Sequence, residues 1–366
     1  MQARKNSLAV FLILLSCCSQ NLFGRSTSSG FVYVMTNDPA GNTVIQYQRS
    51  GGSLTQLSEA ATGGLGGTGN GVGPLDPLGS QDSLVLSGDG SFVLAVNAGS
   101  NQVSALSASS SGLRLLNTVS STGNFPNSVA LHGDLVYVLN AHGTPNISGF
   151  RLSSTGLTPI AGSTVSLPGG SASGPHDIRY SPDGTRLLVT EGNTNKIDIF
   201  ELSSSGLVTG LKSQSSAGLG PFGMKFGRDD LLFNSEATTN SVSSYLLTSS
   251  DTLNVISAAV PDGQQATCWI SITGDGKFAF VSNTASGNLS SYAIDIKGTV
   301  NLAQPVAATA AGGNPIDSAF SSDSVFLFVD DSSMGRILIY SVHGASLKLI
   351  GTVPGLPTTL QGVAAQ

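Results

Sequence analysis

Charge is scarce in this sequence. Asp, Glu, Lys and Arg make up 10% of its 366 residues, well under the ~25% of an average globular protein. Sixteen Lys and Arg stand against 22 Asp and Glu, a formal net charge of −6. The basic residues are spread thinly, with no patch and no run interleaved with aromatics, which excludes a nucleic-acid surface. Cysteine is scarcer still. Cys17 and Cys18 fall in an apolar leader, leaving Cys268 alone, so no internal disulfide forms and the fold must be held by its core. Cys268 opens the apolar run Trp269–Ile272 and reads as a buried, inert thiol. The four histidines, His132, His142, His176 and His343, have no partners at ligand spacing, and neither a Cys/His cluster nor a calcium loop occurs, so no metal is expected. Without a Gly-x-Ser-x-Gly elbow, a serine-hydrolase mechanism has no support. The glycine-rich stretch Thr62–Ser80 precedes neither Gly-Lys-Ser/Thr nor a helix start, so phosphate-loop and dinucleotide readings fail. It reads as a flexible loop over one face of the fold, a rim or lid.

Long apolar runs are also missing. Arg4 and Lys5 precede Leu8–Leu15, too short for a spanning helix but suited to the core of a signal peptide. Leu14-Leu15-Ser16-Cys17 resembles a bacterial lipobox. Two outcomes fit, lipidation at Cys17 or plain secretion, and both make residues 1–24 a leader and 25–366 one exported domain. That domain would sit in the periplasm, on the cell surface or outside the cell, touching membrane only through the lipid anchor.

What is present is strand. Hydrophobic residues are 40% of the chain, arranged in many short β-rich runs with glycine, serine and asparagine between them, ample for a packed core. The stretch Gly174–Leu202 holds a unit: Asp177–Tyr180, a turn at Ser181-Pro182-Asp183-Gly184, Leu187–Thr190, a polar loop, and Lys196–Leu202. Proline presets the first turn position, aspartate suits the second and glycine supplies the left-handed residue. The unit recurs. Its turn aspartates are Asp89, Asp134, Asp183, Asp229, Asp275 and Asp323, spaced by 45, 49, 46, 46 and 48 residues. A repeat of that size, all strand, predicts an all-β fold, a seven-bladed β-propeller with four-stranded antiparallel blades. Six repeats are complete. The seventh is split: Phe31–Asn37 matches a second strand, and Gln361–Ala365 supplies the missing first strand, so the N- and C-terminal strands close the ring in one blade. Later blades begin near Asp82, Asn127, His176, Phe222, Cys268 and Ile316. Fourth strands are expected at Leu113–Val119, Leu157–Val165, Leu207–Ser213, Leu253–Ala258, Val300–Val306 and Leu347–Val353.

Aligning the repeats places two columns at one mouth of the central channel. One, after the second strands, reads Asp38, Asn97, Asn140, Glu191, Glu236, Asn283 and Asp331. The other, where first strands begin, reads Asp82, Asn127, His176, Phe222, Cys268 and Ile316. Asn and Asp are ordinary loop residues. Glutamate is a poor turn former, and Glu191 and Glu236 lie in adjacent blades beside His176. A carboxylate and an imidazole at one mouth suit water activation near neutral pH, though a structural pair fits the same pattern.

The repeats of type Ser-Pro-Asp-Gly…Leu-Leu-Val-Thr-Glu, the phrases Pro221-Phe222-Gly223 and Thr267-Cys268-Trp269, and YVTN-like strand ends resemble the seven-bladed propeller family of 6-phosphogluconolactonases and 3-carboxymuconate cyclases. The resemblance covers about Gly30 to Gln366. It implies enzymes that hydrolyse or form lactone rings, using His, Glu and Arg at the channel mouth and no organic cofactor. His176 matches a family histidine. Thr190-Glu191 and Ser235-Glu236 stand where the family has Asn-Glu. The family's Pro-Arg-His motif has no copy; Arg179 lies three positions on, and Lys225 takes the same place in the next blade. Lacking a mouth arginine to anchor an anionic group, the chain is expected to act on an unphosphorylated lactone or related ester. His176, Glu191 and Glu236 are its candidate catalytic residues, Glu191 or Glu236 as base on a water and His176 orienting or protonating, with no cofactor and a monomeric state. The alternative is a non-catalytic envelope propeller that binds a protein, glycan or small ligand at the same mouth.

Overall fold

The computed structural model describes residues 29–69 and 75–366, and apart from short 3-10 turns its regular elements are strands. The leader expected over residues 1–24 lies outside the described residues. Seven sheets form, each of consecutive antiparallel strands, except that the strand nearest the axis in the first blade is the C-terminal one. Val363, Ala364 and Ala365 pair with Val34, Tyr33 and Val32. The innermost strands of the other six blades are Leu84–Leu86, Asn124–His132, Pro175–Tyr180, Pro221–Phe226, Thr267–Ile272 and Pro315–Phe320. Each touches the next in this order, and the last touches Val363–Ala365, which in turn meets Leu84–Leu86. The ring is closed.

Turn chemistry explains the repeat. At Asp89, Asp183, Asp275 and Asp323 the carboxylate accepts from a hydroxyl two residues earlier at 2.6–2.7 Å and from an amide two residues later at 3.0–3.1 Å. That arrangement mimics a backbone turn locally and needs no tertiary partner. Asp229 differs: it and Asp230 both carry positive φ, the signature of a two-residue primed turn. These turns define one face of the ring, the turn face. The opposite, loop face carries the connections between second and third strands and between successive blades.

Middle strands bury both faces between neighbouring blades, whereas the outer strands are half exposed, as in Leu253–Pro261 and Ser346–Pro354. Third-strand tyrosines lock adjacent blades together. Tyr292 Oη donates to Val260 O (3.0 Å) and Tyr340 Oη to Thr309 O (2.9 Å), so each ring fills the core while its hydroxyl stays satisfied. The expected fourth strand of blade three, Leu157–Val165, is broken. Gly156–Pro159 and Val165–Ser166 pair separately with Asn146–Ser153, and the chain turns between them through Gly162 at φ +78°.

Candidate functional site

The column after the second strands has one consistent use. Glu191 is fully buried; its Oε1 accepts from the Gly169 amide (2.9 Å) and its Oε2 from Thr194 Oγ1. Glu236, also fully buried, accepts from the Gly218 amide (2.8 Å) and from the hydroxyls of Ser216, Ser241 and Ser243. Asn140 donates to Ser121 O (3.0 Å), and Asp331 accepts from the Asn314 amide (3.0 Å). Each residue thus fastens the connection arriving from the previous blade. Those connections bring a glycine against it: a Cβ at Gly64, Gly123, Gly169, Gly218 or Gly313 would collide with Asn97, Asn140, Glu191, Glu236 or Asp331. In blade one this part falls to Asn37, whose Nδ2 donates to Thr359 O (3.0 Å). Asp38 instead accepts from the nearby Ala40 amide.

His176 stands at the loop-face end of the channel, stacked on Phe222 with ring centroids 4.3 Å apart. Phe222 in turn meets Trp269 edge-on. His176 Nδ1 lies 2.6 Å from Gly79 O, and a carbonyl can only accept, so Nδ1 carries the proton and Nε2 is left as the basic nitrogen. Nε2 has no hydrogen-bond partner among the described residues, and the residue keeps partial solvent exposure. Burial lowers its pKa from 6.5, opposed by the Gly79 hydrogen bond. The backbone at Gly192, next to Glu191, packs so close to the Nε2 edge that a side chain there would strike the ring. Blade four therefore brings His176 and Glu191 together through Gly192, without a hydrogen bond between them. Glu236 lies one blade further round.

The stretch read as a lid does more than cover. Residues Gly64–Gly67 lie on the loop face against Asn37, Asn97 and Ala98. Asp76–Gln81 then crosses the channel mouth as a bar bonded to four innermost strands and to Gln361, just ahead of a fifth. Ser80 Oγ donates to Asn127 O (2.6 Å), the Gln81 amide to His176 O (3.0 Å), and Gln81 Nε2 to Met224 O (3.1 Å). Trp269 Nε1 and Gln361 Nε2 both donate to Ser80 O at 2.8 Å, and Ile270 N donates to Gln81 Oε1 (2.9 Å). Beneath the bar, Asp76 accepts from the Gly79 amide (2.7 Å) and Gln361 Nε2 (3.1 Å); burial pushes its pKa up to about 7. Cys268 is buried here, its thiol pKa raised by burial and by Asp76. It is held as a neutral, inert group.

Below the bar the channel widens to a cavity of about 510 Å³ that opens on the turn face, away from His176. Its inner end carries charge. Arg179 and Lys225 share one carboxylate, Asp82, with Lys225 Nζ 3.1 Å from Oδ1 and Arg179 bonded to Oδ2. These side chains retain 19%, 26% and 16% exposure respectively, and all three line the channel lumen. Behind them Asp177, Asp317 and Asp330 are almost completely buried, and burial raises all three pKa values. Neither this cluster nor the bar is evident from repeat columns. The one available signal was the cation at the same first-strand position of two adjacent blades, Arg179 and Lys225. Among the described residues no group of three His, Cys, Asp or Glu side chains is placed to hold a metal ion.

A profile described as "Lactonase, 7-bladed beta-propeller" matches the chain over residues 23–171 and 84–358, two overlapping matches as a repeat produces. No curated protein matches. Among solved structures, a candidate 6-phosphogluconolactonase from Bacteroides fragilis superposes with a TM-score of 0.73 at 21% identity, covering 92% of this chain and 98% of its own. The periplasmic gluconolactonase PpgL of Pseudomonas aeruginosa gives 0.73 at 17% identity, with 91% and 99% covered. A protein from Lactobacillus plantarum gives 0.74 at 20%, with 93% and 99% covered. At these identities the structures are similar to this chain in fold.

Proposed function

The chain belongs to the seven-bladed β-propeller lactonase family, and on that premise we propose that it is an exported enzyme hydrolysing an unphosphorylated lactone or related ester at the loop-face mouth, with His176 as general base. The observation that carries this reading is the fixed tautomer of His176: Nδ1–H is engaged by Gly79 O and a lowered pKa keeps the ring neutral. Nε2 is then a free base at neutral pH. It takes a proton from a water whose oxygen attacks the lactone carbonyl carbon. As the tetrahedral intermediate collapses, the ring C–O bond breaks, and the imidazolium returns that proton to the departing alkoxide, leaving a hydroxy acid. Glu191 and Glu236 serve as positioning residues: Glu191 anchors the loop whose Gly192 backs the imidazole, and Glu236 does the same for the connection entering blade five. The name of the Pseudomonas neighbour, a periplasmic gluconolactonase, agrees with an exported protein and a substrate lacking phosphate.

One observation favours the second reading, a non-catalytic envelope propeller holding a protein, glycan or small ligand: the mouth is crossed by the bonded bar Asp76–Gln81. A pH-stat screen of sugar, aliphatic and carboxylated lactones separates the two. The enzyme reading predicts turnover that vanishes in His176→Ala and weakens in Glu191→Gln. Folded protein inert on every lactone would favour the binding propeller instead.

A further inference from the structure

The cavity on the turn side is separated from His176 by the bar, and hydrolysis at the loop face gives it no role. Its floor has unused hydrogen-bonding capacity. A guanidinium offers five donors and an ammonium three, yet Arg179 and Lys225 each make one hydrogen bond among the described residues, both to Asp82. Arg179 Nε is buried without a partner, its nearest carboxylate oxygen being Asp177 Oδ2 at 3.8 Å. Unmet charged donors inside a protein are costly, and an acceptor with two oxygens relieves them best. The acids that balance these groups, Asp177, Asp317 and Asp330, lie behind the floor and do not line the cavity. A ligand therefore meets the Arg179 guanidinium, the Lys225 amine, whose pKa burial and Arg179 lower to about 7, and one carboxylate. Asp82 reaches them from a left-handed backbone, φ +58°, a conformation non-glycine residues keep only when their surroundings enforce it.

The wall mixes apolar and polar groups. From the Arg179 layer to the rim at Ser181 and Pro182 the lining includes Leu131, Phe226, Ile272 and Phe320 alongside Ser271, Ser318 and His132. That depth is two to three residues of strand, roughly 7–10 Å at ~3.3 Å per residue, the reach of a short alkyl chain. We propose that this cavity is a second site, for a small monocarboxylate with an apolar body whose carboxylate meets Arg179 and Lys225 while its body lies along the wall.

Calorimetric titration with hexanoate, hexanol, hexylamine and acetate tests the idea. Hexanoate should bind at one site, about tenfold or more tighter than hexanol or hexylamine, which lack the charge-assisted bonds. It should also bind tighter than acetate, which lacks the buried body. Lys225→Met should abolish binding, and so should Ala319→Trp, which fills the wall while leaving the charges in place, so the test stands even if the lysine variant fails to fold. His176→Ala should leave binding unchanged. Preference for hexylamine, equal weak uptake of all four probes, or hexanoate binding that survives Ala319→Trp would overturn the proposal.

Discussion

The two ends of the channel are built from the same seven innermost strands, yet they differ in kind. At the loop face the space is spanned by backbone, and the polar groups of the bar, Gln361 and Trp269 bond one another. Within the bar, charge is confined to Asp76. At the turn face the lumen is open, walled by a mixture of apolar and polar side chains, and its charge is gathered at the inner end in Arg179, Lys225 and Asp82. The difference teaches that a propeller's strand ends are independent positions. Side chains where strands begin meet a connection from elsewhere in the chain, whereas the turn aspartates where strands finish bond their own turns. Inter-blade bonds such as Arg186 to Asp251 and Arg228 to Asp275 O are added around them. Structure at the loop face is therefore cooperative, and the turns that shape the turn face are local.

That contrast predicts a ranking of damage. Deleting residues 361–366 should be worst, because it removes the strand both ends share. Gln361 loses its bonds to Leu78, Asp76 and Ser80, Gly362 its bond to Asp330, and the first blade its innermost strand. A loss of about 5 kcal/mol or more is expected from the buried side chains and hydrogen bonds together, visible as a large fall in Tm or failure to fold. An unchanged Tm would break the closure account.

Glu236→Ala should come next, at about 3 kcal/mol, since it strands the Gly218 amide and three serine hydroxyls in the interior. Glu236→Gln should cost clearly less by denaturant titration. Equal costs would mean the carboxylate is not the clasp described.

A smaller effect sharpens the loop-face end through pH. Burial holds the folded Asp76 carboxyl at about 7, against ~3.9 when unfolded. The folded state thus binds the proton more tightly, so this contribution is fully present below the unfolded value and is lost as pH rises through about 7. Wild-type Tm should fall relative to Asp76→Asn between pH 5 and pH 8, and parallel curves would contradict it. Smallest should be Asp183→Ala on the turn face, where a half-exposed carboxylate bonds its own turn and Arg186 three residues on. A cost of roughly 1 kcal/mol or less is expected.

This same division decided what the sequence could show. The turn aspartates are local devices, so their spacing revealed blade number, strand starts and the split first blade directly. Glu191 and Glu236 were visible as an unusual choice of residue. Their partners were not, because Gly169 and Gly218 lie 22 and 18 residues earlier, in connections that repeat poorly. The bar was hidden for a related reason: Ser80 and Gln81 bond residues up to 281 positions away, which no periodicity encodes. Arg179 and Lys225 were noticed as occupying one position of adjacent blades, but Asp82, the carboxylate that joins them, precedes Arg179 by 97 residues.

The central claim is that His176 is a neutral base with a free Nε2, and nitrogen-15 NMR of the imidazoles measures this directly. Only four histidines are present, and the spectrum of His176→Gln assigns the resonance. The account predicts a pKa below 6.5, the direction in which burial moves it, with the neutral ring protonated at Nδ1. Titration above 6.5, or a proton on Nε2, would contradict it.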